Sequence, residues 1–148
     1  MPKVAQSAIE YLMIIALTLG LIVPTAYLFF RFSSESNVQI VDSQITQIGR
    51  SIIDTAQSVY FSGEGSKIIL EVNMPKNVDD IYILANRELV FETTSEIGQS
   101  ESVFFSSANI PITEGSGDLS SVAGSGLKRI RIQAIDDNGV AKVLIEKV

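Results

Sequence analysis

The sequence predicts an α+β protein: a long N-terminal helix, first transmembrane and then amphipathic, packed on a small antiparallel β-sheet domain. Three observations predict this fold. Residues 11–30 carry no charge, and residues 34–60 place apolar side chains at helical spacing. After residue 65 the chain changes to short runs rich in β-branched and aromatic residues. Residues 63–148 are enough for one small folded domain.

The first element is an apolar helix. Residues 11–30 are twenty consecutive uncharged positions, and a helix of this length spans about 30 Å, the thickness of a hydrocarbon core. Tyr11 opens the run, and Phe30 and Arg31 close it, so these side chains are expected at the two membrane interfaces. Pro24 lies inside the run. It is interpreted either as a tolerated kink or as a point of local unwinding used when subunits pack.

The second element is an amphipathic helix over residues 33–62, ending at a glycine-rich turn. Its stripe of apolar side chains can pack on the protein's own sheet, against a neighbouring subunit, or both. The stripe consists of Val38, Val41, Ile45, Ile48, Ile52, Ala56 and Val59.

Six short strands are predicted after the helix, with hairpins at residues 84–89 and at Asp136-Asp137-Asn138-Gly139. Residues 110–126 are rich in glycine and serine and are predicted to form a long, flexible surface loop. The predicted strands are 67–72, 80–85, 89–94, 102–106, 128–135 and 141–147.

Composition argues against several functions. The chain has no Cys and no His, which removes disulfides, the usual zinc ligands and the common nucleophile–base pairs. Two acidic pairs, Asp79-Asp80 and Asp136-Asp137, flank predicted turns and are interpreted as solvated. The net charge of -6 disfavours binding to nucleic acid. We therefore expect a protein that is not an enzyme and that uses no metal and no cofactor.

The residues before the apolar run carry a motif. The stretch from Ala5 to Leu12 resembles the class III signal peptide of archaeal type IV pilin-like proteins. Gln6 and Glu10 match its glutamine and glutamate, and Ala5 fits the small residue before the cut. Ala8 stands where a serine is usual, and Ile14 stands where a leucine is usual. An ordinary secretory signal peptide fits less well, because the run is too long and no A-x-A site follows it.

The resemblance implies a pilin-like fold and a processing event. A membrane prepilin peptidase would cut between Ala5 and Gln6, and the new chain would begin at Gln6. Glu10 would then pair with the freed amine of Gln6 on a neighbouring subunit and set the axial register during assembly. The alternative is that Glu10 is solvated among lipid headgroups, at the end of a helix whose dipole favours negative charge.

The resemblance also implies an organisation and a function. It divides the chain into a leader over residues 1–5, a transmembrane and assembly helix over 6–32, an amphipathic helix over 33–62 and an extracellular β-rich head over 63–148. The expected protein is a major or minor structural subunit of an archaeal type IV pilus-like filament. It would be a single-pass membrane protein at the cell surface.

Partners and an alternative follow from the same resemblance. The expected partners are prepilin peptidase, copies of the chain itself or other pilins, and membrane lipid, with no nucleic acid. The alternative is a membrane-anchored surface binding module that never polymerises, or a stator-type component associated with the archaellum.

Overall fold

The computed structural model of the protein describes residues 2–95, 98–107 and 110–148, and within these it leaves out the side chains of residues 2–6 and Ser34. The chain forms two compact units, Met1–Val38 and Gln39–Val148. The described elements are α1 (Pro2–Ser62), β1 (Lys67–Met74), β2 (Val78–Leu84), β3 (Glu88–Ser95), β4 (Gly98–Phe105), β5 (Ile112–Glu114), a 3₁₀ helix (Leu119–Val122), β6 (Gly126–Asp137) and β7 (Val140–Lys147). The predicted α+β class and its long N-terminal helix are confirmed.

The second unit has a core built around helical residues 39–62. The predicted stripe packs there from Val41 onward against the strands of its own unit, because its members recur every three or four positions and therefore lie on one helix face. Val38 belongs to the first unit. Val41 is half-buried at the margin of this core. The fully buried members of the stripe are Ile45, Ile48, Ile52, Ala56 and Val59, and Ile53 joins them.

The strands form two sheets. One has four strands in the order β1-β6-β7-β5, and the other has three in the order β2-β3-β4. Every pairing is antiparallel except that of β5 with β7, which is parallel. The predicted small antiparallel β-sheet domain is confirmed, with the one correction that its strands form two sheets and that the pairing of β5 with β7 is parallel. The reason is that β5 enters the four-stranded sheet after the chain leaves the three-stranded one, so no hairpin sets its direction.

The flexible loop predicted over residues 110–126 is also corrected. This segment contains β5 and the 3₁₀ helix, and Asp118 caps that helix by accepting a hydrogen bond from the Ser120 backbone at 2.9 Å. A strand of three residues and one turn of helix are too short to produce a periodic pattern. The buried apolar side chains of the segment are Ile110, Ile112, Leu119 and Val122.

Both predicted hairpins are present. Asn138 and Gly139 have φ of 57° and 84° between β6 and β7, as a type I′ turn requires. Ala85 and Asn86, at φ of 51° and 56°, lie in the three-residue connection between β2 and β3, where the Arg87 N–H donates to the Leu84 carbonyl at 3.1 Å. Alanine has no polar side chain to offset the left-handed conformation, so Ala85 is held there by the pairing of the two strands.

Relieving this strain should stabilise the second unit. We expect Ala85→Asn to raise the free energy of unfolding by about 0.5–1 kcal/mol, because asparagine tolerates positive φ. Ala85→Val is the control and should lower it, since a β-branched residue is strained further in this region. Thermal unfolding of the full chain in detergent, followed by circular dichroism, measures both. An asparagine variant no more stable than the valine variant would contradict the expectation.

Candidate functional site

The most exposed apolar surface of the protein is the first part of α1. Its large side chains between Ile9 and Phe32 are all exposed or nearly so, and none of the most apolar stretch is buried in the protein. By length and composition this helix can cross a membrane once. Among the exposed side chains are Ile9, Leu12, Leu17, Val23, Phe29 and Phe32.

The few polar groups inside this stretch are satisfied within the helix. The Thr18 hydroxyl donates to the Ile14 carbonyl at 2.7 Å, and the Thr25 hydroxyl donates to the Leu21 carbonyl at 2.7 Å. Pro24 lies inside the helix, with helical backbone on both sides of it. Hydroxyls that bond back to the preceding turn need no partner from solvent, so they suit a hydrocarbon environment.

The two ends of the apolar run differ in charge. At the far end, Arg31 Nε lies 3.6 Å from Glu35 Oε1, one helical turn further on. Both side chains are exposed, so the pair contributes little to stability, about 0–1 kcal/mol. The Phe30 ring stands edge-on to that of Phe29, with centroids 6.4 Å apart. The exposed ring of Tyr11 lies at the near end.

Glu10 is the carboxylate at the start of the run. It is exposed, and within the described residues it has no hydrogen-bond or ion-pair partner. The side chains of Ala5 and Gln6 lie outside those described. Glu10, Tyr11, Pro24, Phe30 and Arg31 thus share one exposed helix, while the processing site and the pairing of Gln6 with Glu10 remain predictions.

A second surface was missed by the sequence reasoning. On the three-stranded sheet, Asp80 pairs in register with Glu92, and Glu92 pairs with Glu101, so three carboxylates form a row across the strands. The Tyr82 hydroxyl donates to Glu92 Oε1 at 3.2 Å. Partial burial raises the pKa of Tyr82, and the hydrogen bond to Glu92 and the charges of Glu92, Glu101 and Asp80 raise it further.

A groove lies between the amphipathic part of α1 and strand β1. It encloses about 300 Å³ and offers mainly amide, hydroxyl and aliphatic groups. Its one carboxylate, Glu71, accepts a hydrogen bond from Arg129 Nε at 2.9 Å. Such groups bind by hydrogen bonding and provide no pair for general acid–base catalysis. The groove is lined by Gln44, Gln47, Ile48, Ser51, Leu70, Glu71, Val72 and Asn73.

The fold and the exposed helix together define a class of protein. The chain is an α+β protein with one N-terminal helix long and apolar enough to span a membrane, and with a β-rich unit that has its own core. Comparisons of the chain with protein-family models, with curated proteins and with solved structures find no match. The class therefore depends on the residues and the fold of this chain alone.

Proposed function

We propose that the chain is a structural subunit, major or minor, of an archaeal type IV pilus-like surface filament. It is made as a precursor, cut by a prepilin peptidase between Ala5 and Gln6, and assembled through the helix of residues 6–32. The observation that carries the proposal is the exposed apolar surface of α1 from Ile9 to Phe32, with a single carboxylate, Glu10, at its start.

This apolar surface must be buried away from water. Burying one leucine-sized side chain is worth about 1.5–3 kcal/mol, so a helix with this many exposed apolar side chains does not stay in water. Lipid covers it when the chain is an isolated membrane protein, and the helices of other subunits cover it in a filament. The same surface thus serves as the membrane anchor before assembly and as the subunit contact afterwards.

Glu10 can fix the register between neighbouring helices, which apolar contacts alone do not. Between helices in an apolar environment, hydrophobic side chains gain little from one register over another. A carboxylate in the same environment is costly unless it is paired, so it favours the one register in which its partner lies alongside. In the mature chain the freed amine of Gln6 is the proposed partner, on the neighbouring subunit.

A second candidate is a membrane-anchored surface module that does not polymerise, of the binding or archaellum-associated stator type. The observation that favours it is the separate core of the Gln39–Val148 unit, which among the described side chains contains none that precedes Val41. A unit with its own core can act at a surface while the apolar helix serves only as an anchor.

One experiment separates the two candidates. Filaments are sheared from cells that produce the protein, and the sheared and membrane fractions are analysed by mass spectrometry. We expect the chain in the filament fraction, beginning at Gln6 or at its pyroglutamate form. Cells without prepilin peptidase are the control and should retain Met1. A chain found only in membranes would support the second candidate, and mature surface protein that keeps residues 1–5 would contradict the proposed cut.

A further inference from the structure

The two sheets of the second unit differ in charge. Strands β2, β3 and β4 contain five acidic residues and no lysine or arginine. Strands β1, β5, β6 and β7 contain six basic against five acidic residues, a net charge of +1. Because both sheets bury one side in the same core, this difference leaves one strongly acidic outer surface and one slightly basic outer surface.

The outer surface of the three-stranded sheet is called here the acidic face. Its carboxylate row lies beside two rows that contain exposed apolar side chains, with Phe105 67% and Leu84 52% exposed. Like charges directly opposite one another on neighbouring strands destabilise a sheet, so the row is costly until cations approach it. The face consists of Asp80, Tyr82, Leu84, Glu88, Val90, Glu92, Glu101, Val103 and Phe105.

The outer surface of the four-stranded sheet is called the basic face. Strand β6 alternates between the core and this face, so Ile130 and Ile132 are buried while Arg129 and Arg131 point outward. Leu127 is 67% exposed on the same face. The face consists of Lys67, Ile69, Leu127, Arg129 and Arg131, together with the carboxylates Glu71 and Glu146, which lie in register beside the two arginines.

The two arginines of the basic face can still accept a partner. Arg129 Nε donates to Glu71 at 2.9 Å, and Arg131 Nη1 donates to Glu146 at 2.8 Å. A guanidinium carries five N–H donors, so one bond to a neighbouring carboxylate leaves others available for a carboxylate of another molecule. Arginine is also the cation best suited to contacts that combine charge with apolar area.

We propose that the acidic face of one copy of this chain docks on the basic face of the next copy. The carboxylate row meets the arginines and Lys67, and the apolar side chains of both faces are buried beside them. The two faces are different surfaces, so the contact is head-to-tail and leaves one face of each type free for further copies. The inference rests on the proposed function in that the N-terminal helices bring the copies side by side.

The test reverses the charge of each face separately. In the acidic-face variant, Glu92 and Glu101 are replaced (Glu92→Lys, Glu101→Lys). In the basic-face variant, Lys67 and Arg129 are replaced (Lys67→Glu, Arg129→Glu). Self-association of the full chain in detergent is measured by sedimentation velocity. We expect each variant alone to associate about tenfold more weakly than the unaltered chain, and a mixture of the two variants to regain association because their faces are again complementary.

Two controls distinguish the effect of each face from a change in net charge and from misfolding. Asp54→Lys with Glu64→Lys raises the net charge by the same amount as the acidic-face variant, at exposed positions outside both faces, and should associate like the unaltered chain. Circular dichroism should show each variant folded. Association that survives both reversals, or a mixture that regains nothing, would overturn the inference and point to another partner for these faces.

Filament counts then separate this inference from the proposed function. If the unaltered chain forms filaments and each charge-reversed variant forms them equally well, the inference is overturned and the proposed function stands. Charge-dependent association in detergent by a chain that never enters filaments would support the inference and overturn the proposed function.

Discussion

Replacing Glu10 with alanine should leave membrane insertion intact and nearly abolish filament assembly. Insertion survives because removing a charge from the edge of an apolar segment makes the segment more compatible with lipid. The second unit should fold normally, since its core begins at Val41 and includes nothing near Glu10. On the proposed function, assembly suffers because Glu10 is one partner of the proposed ion pair between subunits, and removing one partner of a buried ion pair costs about 3–5 kcal/mol.

Three variants, Glu10→Ala, Glu10→Gln and Glu35→Ala, test whether assembly depends on the negative charge at position 10. Glu10→Gln keeps the size and hydrogen bonding but loses the charge, so it should resemble Glu10→Ala. Glu35→Ala removes an exposed carboxylate from the same helix, beyond the apolar run, and should assemble normally because its pair with Arg31 is exposed. Membrane levels are compared by blotting, and filaments are counted by electron microscopy. Normal filament numbers with both Glu10 variants would return this residue to the headgroup-solvation alternative.

A methyl group at Gly49 should destabilise the second unit. A Cβ placed there would lie 2.4 Å from Cε2 of the Phe104 ring, well inside van der Waals contact. The ring cannot simply turn away, because it stands edge-on to the buried Phe91 ring with centroids 5.6 Å apart. Overpacking of this kind costs about 1–3 kcal/mol, and the better helix propensity of alanine offsets about 1 kcal/mol. We expect Gly49→Ala to lower the free energy of unfolding by up to about 2 kcal/mol.

A double-mutant cycle tests the cause. Phe104→Ala removes the ring, so Gly49→Ala in that background should become neutral or stabilising by up to about 1 kcal/mol. Gly20→Ala is the matched control in the same helix: a Cβ at Gly20 would meet nothing within 4 Å. Unfolding of the full chain in detergent measures all four. If Gly49→Ala costs the same with and without the Phe104 ring, the close approach is not what requires glycine here.

Much of the fold could be predicted because it depends on patterns that are local in the chain. The uncharged run of residues 11–30 is a matter of composition, and its exposure in the structure agrees with a membrane-spanning helix. The stripe from Ile45 to Val59 recurs at helical spacing, and each of its members is buried. The Asn138-Gly139 turn depends on two residues that tolerate positive φ. The roles of Ala5, Gln6 and Glu10 stay predictions.

Other features depend on contacts between distant parts of the chain. Gly115 and Gly117 lie in the segment that the sequence predicts to be a flexible surface loop. In the structure, a Cβ on Gly115 would lie 2.5 Å from Glu146 Oε2, and one on Gly117 would lie 2.9 Å from the Lys147 carbonyl oxygen. These glycines let the segment lie directly against β7. There the Gly115 N–H donates a hydrogen bond to the Ile145 carbonyl at 3.0 Å. Nothing in the order of residues 110–126 indicates which strand they approach.

The acidic face shows the same division between sequence and tertiary structure. Alternation within each strand determines that Asp80, Glu92 and Glu101 lie opposite the buried side chains of their own strands. Only strand order and register bring the three carboxylates into one row, because a shift of one residue would move them to the other side of the sheet. Periodicity along the chain therefore decides which side chains are buried and which are exposed. Pairing across the chain decides which exposed side chains become neighbours, because register depends on backbone hydrogen bonds between residues far apart in sequence.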